Sequence, residues 1–227
     1  GIDKERHINW LKSLQNADGG FGHAPGQSSH IAYSYLAAKA LAELNGLDQI
    51  DEEKLIQFTL SCQHPNGGFG YLPNQQPQVQ FIYHAVMLLK ELGALDGIDK
   101  AKHISWIKSL QNPDGGFGYT SGQQSNLVNT FFAIMTLVEL GGLNQIDREK
   151  AVDFIASCQH PTGGFGPTPG QEPQAQLTYY GITLLKELEA LDEIDRSKHI
   201  RWLKSLQQPD GGFKQGTRAQ RSDIVHI

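Results

Sequence analysis

Apolar positions along this chain follow two alternating rhythms. Over 4–15, Ile8, Leu11 and Leu14 fall on one stripe while Lys, Arg and Glu fill the rest, which predicts a helix with one covered face. Over 29–45 the apolar residues are denser. Over 126–140 the run Leu127-Val128-Asn129-Thr130-Phe131-Phe132-Ala133-Ile134-Met135-Thr136-Leu137-Val138 is apolar almost all round. A helix of that kind has to be covered on most sides. The half-polar segment is called the A helix of each pair and the apolar one the B helix. Charged flanks put A outside and apolar surroundings put B inside.

The pair repeats. Gly-Gly-Phe stands at 19–21, 67–69, 115–117, 163–165 and 211–213, each copy 48 residues after the last. The same interval separates Trp10, Phe58, Trp106, Phe154 and Trp202. It also separates Gln15, Gln63, Gln111, Gln159 and Gln207, and Asp3, Asp51, Asp99, Asp147 and Asp195. Self-similarity at a fixed period of this length marks a stacked-repeat fold. Trp-containing and Phe-x-x-Ser-Cys-Gln versions alternate, so the full duplication spans 96 residues. The reading is one all-α repeat domain over 1–227, in units of about 1–48, 49–96, 97–144, 145–192 and a partial 193–227.

Residue types at the junctions explain the helix ends. The recurring aspartate suits an N-cap, whose carboxylate takes free N–H groups of the first turn. Asp18, Asp114 and Asp210 precede Gly-Gly and read as turn residues, with glycine supplying the left-handed conformation that ends a helix. The following phenylalanine is placed to wedge between neighbouring units.

Composition narrows the function classes. A net charge of −5 argues against a nucleic-acid partner, which selects for a basic face. No apolar run approaches the roughly 20 residues of a membrane span. Gly1-Ile2-Asp3-Lys4 opens into a polar helix start and not a signal peptide, so a cytoplasmic location is the expectation. Cys62 and Cys158 are too few for a disulfide framework and read as buried small residues.

The repeated stretches Ser-Cys-Gln-His-Pro-Asn-Gly-Gly-Phe-Gly (61–70) and Ser-Leu-Gln-Asn-Pro-Asp-Gly-Gly-Phe-Gly (109–118) resemble the repeats of protein prenyltransferase β subunits and of squalene and terpene cyclases. Pro25-Gly26-Gln27 followed by His30 and Tyr33 is similar to the prenyltransferase stretch that opens an inner helix. The resemblance implies an α/α-toroid, a ring of inner and outer helices around an apolar cavity. It also implies an isoprenoid ligand of the prenyl diphosphate type. Rings of that family use more helix pairs than the segments here supply. The chain then reads as a fragment, as an incomplete ring, or as a subunit completed by self-association or by a partner subunit.

The resemblance further implies a catalytic zinc held by an Asp-x-Cys pair and a histidine. The matching positions hold His30 and Ala32, Gln78 and Gln80, Asn126 and Val128, or Gln174 and Gln176, so no zinc and no other cofactor is expected. Asp223-Ile224-Val225-His226 is similar to the family's Asp-x-x-His, shifted by one residue. The cyclases' Asp-x-Asp-Asp and Asp-Asp-x-x-Asp runs are missing as well. No catalytic residue is assigned, and if the chain is an enzyme it is a prenyltransferase-like transferase or a terpene cyclase.

The candidate ligand-binding residues open the B helices: His30, Tyr33, Gln78, Gln80, Asn126, Asn129, Gln174 and Gln176. Helix N-termini gathered at one mouth would suit an anion. Lys, Arg and His are nonetheless sparse there, with only His30 before Arg218 and Arg221. The competing reading makes these residues helix caps and ties between repeats, in a non-catalytic scaffold or protein-interaction module. Tyr35, Tyr83, Phe131 and Tyr179 are expected as cavity wall or core, the core being favoured. Glu43, Glu91, Glu139 and Glu187 are expected on solvated helix ends, and His7, His103 and His199 outside any ligand cluster.

Overall fold

The computed structural model describes residues 3–216. Among these residues nine α-helices follow one another, with no strand beyond isolated bridges such as Gln15 with Phe21. The A helices are α1 (Lys4–Lys12), α3 (Glu52–Ser61), α5 (Lys100–Lys108), α7 (Arg148–Ser157) and α9 (Arg196–Ser205). The B helices are α2 (Ile31–Glu43), α4 (Val79–Glu91), α6 (Leu127–Leu140) and α8 (Ala175–Glu187). A short 3₁₀ turn follows each B helix, at Leu47–Gln49, Leu95–Gly97, Leu143–Gln145 and Leu191–Glu193.

The chain forms two compact units, Gly1–Ser109 and Leu110–Ile227. In the first, α2 packs along α4, with α1 against α2 and α3 against α4. In the second, α6 packs along α8 and α7 against α8.

Every A helix starts as its aspartate dictates. The backbone N–H of Arg6, Lys54, Lys102, Lys150 and Lys198 donates to Asp3, Asp51, Asp99, Asp147 and Asp195 at 3.0–3.1 Å. The Lys54 N–H and ammonium hold the Asp51 carboxyl below its usual range, and Lys150 does the same for Asp147. The recurring glutamine closes the seam to the next unit. Gln15 donates from Nε2 to the carbonyls of Gly19 (3.1 Å) and Asp51 (3.0 Å) and accepts from the Asp51 N–H (3.0 Å). Gln111 repeats the pattern with Gly115 and Asp147. An amide with both a donor and an acceptor is needed to match a backbone in this way.

The Gly-Gly turn has two reasons to be glycine. Gly19 has φ +90°, and a Cβ there would lie 2.3 Å from the Lys54 carbonyl carbon. A Cβ on Gly20 would lie 2.8 Å from the Phe58 ring. The next A helix therefore rests directly on the turn, a close approach that turn chemistry alone did not predict. Phe21, Phe69, Phe117 and Phe165 are fully buried behind these turns, as the wedge reading requires.

One turn differs from the others. Asp18, Asn66, Asp114 and Asp210 each accept from the N–H of the second glycine, at 2.9–3.1 Å. The fourth unit has Thr162, whose hydroxyl lies 2.7 Å from His160 Nδ1 instead. The Gly163–Gly164 peptide is turned over, and Gly164 takes φ +79°. Its N–H now donates to His199 Nδ1 (2.9 Å), and His199 Nε2 faces Gln159 Oε1 (3.3 Å). At the second turn the equivalent ring, His103, instead donates from Nδ1 to the Gly67 carbonyl. The two histidines thus hold opposite neutral tautomers, set by the one side chain directly before each Gly-Gly peptide. Thr162→Asn is expected to turn the peptide back and move the His199 proton from Nε2 to Nδ1. Imidazole ¹⁵N shifts read this directly, and an unchanged His199 pattern would refute it.

Candidate functional site

The B-helix openings are built largely from caps. His30 Nδ1 accepts from the Ala32 N–H (3.1 Å), and Asn126 Oδ1 accepts from the Asn129 N–H (2.8 Å). Gln78 and Gln174 hold the same N-cap position without a side-chain cap bond. The first helical N–H groups also have partners in neighbouring loops. Ile31 donates to the Tyr71 carbonyl (3.0 Å), Leu127 to that of Pro167 (2.8 Å) and Ala175 to that of Gln215 (2.8 Å). Several donors that an anion would use are therefore engaged by the protein itself.

His30 is the centre of an aromatic group in the first unit. Its ring lies 5.0 Å from Tyr33, 5.5 Å from Phe81 and 5.2 Å from Tyr71, on which it stacks. Burial lowers its pKa. With Nδ1 accepting a backbone proton, the neutral ring carries its own proton on Nε2, and protonating Nδ1 would break the cap. His30 is thus arranged as a neutral donor, not as the cation a diphosphate would favour. One turn further on, Tyr35 stacks on His84 at 5.6 Å and meets Tyr83 edge-on at 6.1 Å.

The second unit holds a matching group without histidine. Phe131 stacks on Tyr180 at 4.0 Å, with Tyr179 at 6.3 Å. Gln176 Nε2 donates to the Tyr180 hydroxyl at 2.8 Å. Asn129 is buried, whereas Gln80 and Gln176 are half-buried on the stripe that carries these aromatics.

That stripe corrects an expectation. Of Tyr35, Tyr83, Phe131 and Tyr179, for which the core is favoured over a cavity wall, only Phe131 is buried; Tyr35 and Tyr83 are half-buried, and Tyr179 is 52% exposed. Leu36 is 51% exposed and Tyr33 39%. Met87, Phe132 and Met135 are half-buried on the corresponding faces of α4 and α6. The physical reason is helical phase. Positions 35, 83, 131 and 179 lie one residue past the buried set Ser34, Ile82, Thr130 and Thr178, which meets the Gly-Gly-Phe wedge. The glutamate series is corrected in part: Glu91 is tied to α2 by Lys39 (3.2 Å), which also pairs with the exposed Glu43 (3.1 Å).

Little here suits proton transfer or nucleophilic attack. Burial pushes the thiols of Cys62 and Cys158 up to about 12, which leaves both as thiols at neutral pH. Among the described residues no cluster of three His, Cys, Asp or Glu side chains is placed to hold a metal. The positions matching the zinc pair carry amides, His30 and small side chains, so the donor set does not fit the ion. Asp223 and His226, with Ser222, Arg218 and Arg221, lie outside the described residues. A cleft of about 730 Å³ in the second unit, between the Asn112–Asp114 turn and α7, is lined by groups already in use. Asp114 accepts from Gly116 N–H and the Ser125 hydroxyl, and Asn112 donates to the Gln123 carbonyl. No helix of the described residues is long and apolar enough to cross a membrane.

Alternating helix pairs, with apolar B helices and half-polar A helices joined by Gly-Gly-Phe turns, define an α/α-repeat protein of the toroid class. The model of the prenyltransferase alpha-alpha toroid domain matches residues 2–140, 75–159 and 119–226, and the chain belongs to that family. No curated protein sequence matches the chain at a significant level.

Among solved structures, the chain is similar to Candida albicans protein geranylgeranyltransferase-I complexed with GGPP. The match has a TM-score of 0.83 at 17% identity and covers 98% of this chain and 75% of that one. It is also similar to a type II terpene cyclase from Scytonema in complex with geranylgeranyl dihydroxybenzoate. There the TM-score is 0.66 at 16% identity, over 92% of this chain and 64% of that one. The ent-copalyl diphosphate synthase of Streptomyces platensis gives a TM-score of 0.54 at 17% identity, over 84% of this chain and 40% of that one. At these identities the likeness shows the fold. The chain spans less than two thirds of the Scytonema and Streptomyces platensis proteins.

Proposed function

We propose that this protein binds an isoprenoid, its prenyl chain lying along the exposed apolar stripe of α2 and α4 in the first unit. The observation that carries the reading is that stripe itself. Leu36 and Tyr33 stand 51% and 39% exposed on α2, whose other faces are buried. Large apolar groups left uncovered on an otherwise packed helix mark a surface kept for a ligand. Two of the similar structures hold geranylgeranyl compounds, which is the ligand class such a surface suits.

The affinity rests on apolar burial and not on charge. Each buried methylene contributes about 0.8 kcal/mol, so a prenyl chain of a few isoprene units reaches micromolar affinity even if much of that gain is lost on association. The capped helix openings and neutral His30 then orient a polar head group by hydrogen bonding. In the first unit His30, Tyr33, Gln78 and Gln80 are the residues proposed for that end, and Asn126, Asn129, Gln174 and Gln176 hold the corresponding places in the second. No catalytic step is assigned.

Calorimetric titration with geranylgeranyl diphosphate tests the reading. The expected result is saturable binding with a negative heat-capacity change, abolished by Leu36→Asp, which changes an exposed side chain and leaves stability intact. Added zinc is expected to make no difference. Absence of heat, or binding indifferent to Leu36→Asp, would leave the chain as a repeat scaffold.

A further inference from the structure

His30 carries a hydrogen-bond donor that the protein itself does not use. Its Nδ1 accepts from the Ala32 N–H at 3.1 Å, which leaves the proton of the neutral ring on Nε2. Nε2 makes no hydrogen bond among the described residues, and it is not an enclosed atom. The ring is held in place by the cap bond, by Tyr71 stacked on it at 5.2 Å, and by Phe81 and Tyr33 at 5.5 and 5.0 Å. A donor fixed in this way on a half-buried ring is available to a ligand.

The repeat does not demand this group. In the second unit, 96 residues on, Asn126, Asn129, Pro167 and Leu177 stand in place of His30, Tyr33, Tyr71 and Phe81. Asn126 makes a helix cap as His30 does, so the framework is the same while all four side chains differ. The imidazole and its rings are a property of the first unit, added to a cap that needs neither.

Their surroundings favour a neutral acceptor. The segments that open α2 and α4, residues 22–30 and 70–80, hold no Lys, Arg, Asp or Glu. The Ile31 N–H is spent on the Tyr71 carbonyl (3.0 Å) and the Ala32 N–H on His30, so the start of α2 has little positive end to offer. Burial holds the His30 pKa down, and it holds His84 nearby at about 4. The faces of Tyr33, Tyr71 and Phe81 are electron-rich and repel an anion. A diphosphate carries several negative charges at neutral pH and would lose water here without gaining a counter-charge. An alcohol or carbonyl oxygen loses far less and gains the Nε2–H bond.

Resting on the isoprenoid reading above, we infer that the first unit takes an isoprenoid whose head is an uncharged oxygen, as in a prenyl alcohol, aldehyde or ketone, and that His30 selects it over a diphosphate. Nε2–H donates to that oxygen while the chain follows α2 and α4. The head group that the prenyltransferase resemblance implies is thus the one this opening disfavours.

Three probes that share one chain separate head from tail: farnesol, farnesyl diphosphate and the hydrocarbon farnesene. The protein is titrated calorimetrically into each at pH 7.5, with the ligand held below its solubility limit. Farnesol is expected to bind about tenfold more tightly than the diphosphate. It is expected to bind about fivefold more tightly than farnesene, the effect of one hydrogen bond. His30→Asn keeps the cap, as Asn126 shows, and withdraws the imidazole donor. It should bring farnesol down to the level of farnesene and leave farnesene unchanged. Farnesyl diphosphate binding as tightly as farnesol overturns the inference and leaves the isoprenoid reading standing. A preference for farnesol that survives His30→Asn does the same. No binding by any of the three overturns both. The order of the three probes on the wild type decides between these outcomes even if the variant is unstable.

Discussion

Gly115→Ala is expected to destabilise the protein by more than about 4 kcal/mol, against about 1 kcal/mol for Gly122→Ala. The two glycines share the left-handed conformation, with φ of +87° and +78°. A substitution at either one meets the same backbone strain. They differ in space. A Cβ on Gly115 would lie 2.1 Å from the Lys150 carbonyl oxygen and 2.2 Å from its carbon, both main-chain atoms of α7, whereas Gly122 has nothing within 4 Å. Main chain held in a capped helix does not yield as a flexible side chain does. α7 would have to lift off the turn, uncovering Phe154 and breaking the Gln111 bonds to the Asp147 backbone. For a chain of this size about 2–4 °C of Tm accompany each kcal/mol. Thermal unfolding should therefore separate the pair by about 10 °C. Equal shifts would mean that conformation alone requires glycine and that the repeats slide freely on one another.

That contrast also shows which features sequence reasoning reaches. Asp51 and Asp147 were legible as caps because one residue type at one offset satisfies one geometry. The Gly-Gly pair was legible as a turn, but its second role depends on what lies across the seam, and no local pattern records that. Tyr179 and Leu36 were harder. A helix as apolar as α6 has no polar face to set its phase, so moving the assumed buried stripe by one residue puts the tyrosine series in the core. The hydroxyls of Ser34, Thr130 and Thr178, which accept from Phe21, Phe117 and Phe165 N–H, fix the true phase. A small hydroxyl residue recurring four positions after the N-cap was the signal that could have revealed it. The opposite tautomers of His103 and His199 follow from Asn66 against Thr162, a difference that gains meaning only once the turn's acceptor is known.

His84 should make the protein sensitive to mild acid. Its Nδ1 is enclosed, its ring stacks on Tyr35, and Tyr83 packs edge-on at 5.6 Å. Burial, with a smaller contribution from His30, pushes its pKa down from 6.5 to about 4. The folded state therefore binds the proton more weakly than the unfolded chain does. Stability is fully present above pH 6.5, falls as the pH drops from 6.5 toward 4, and levels off below. At pH 4.5 the loss attributable to this group is about 2.5 kcal/mol, from about 1.4 kcal/mol per pH unit between the two pKa values. His84→Phe places there the residue that the third unit carries at the equivalent position, Phe132. Urea denaturation of both proteins at pH 7.5, 6, 5 and 4.5 isolates the effect, because His103 and His199, whose pKa values burial also lowers, are common to the two. The variant is expected to gain on the wild type by about 2–3 kcal/mol as the pH falls, with the gain starting near 6.5. Parallel curves would show that the His84 ring takes up its proton without leaving the fold, and would place acid sensitivity elsewhere.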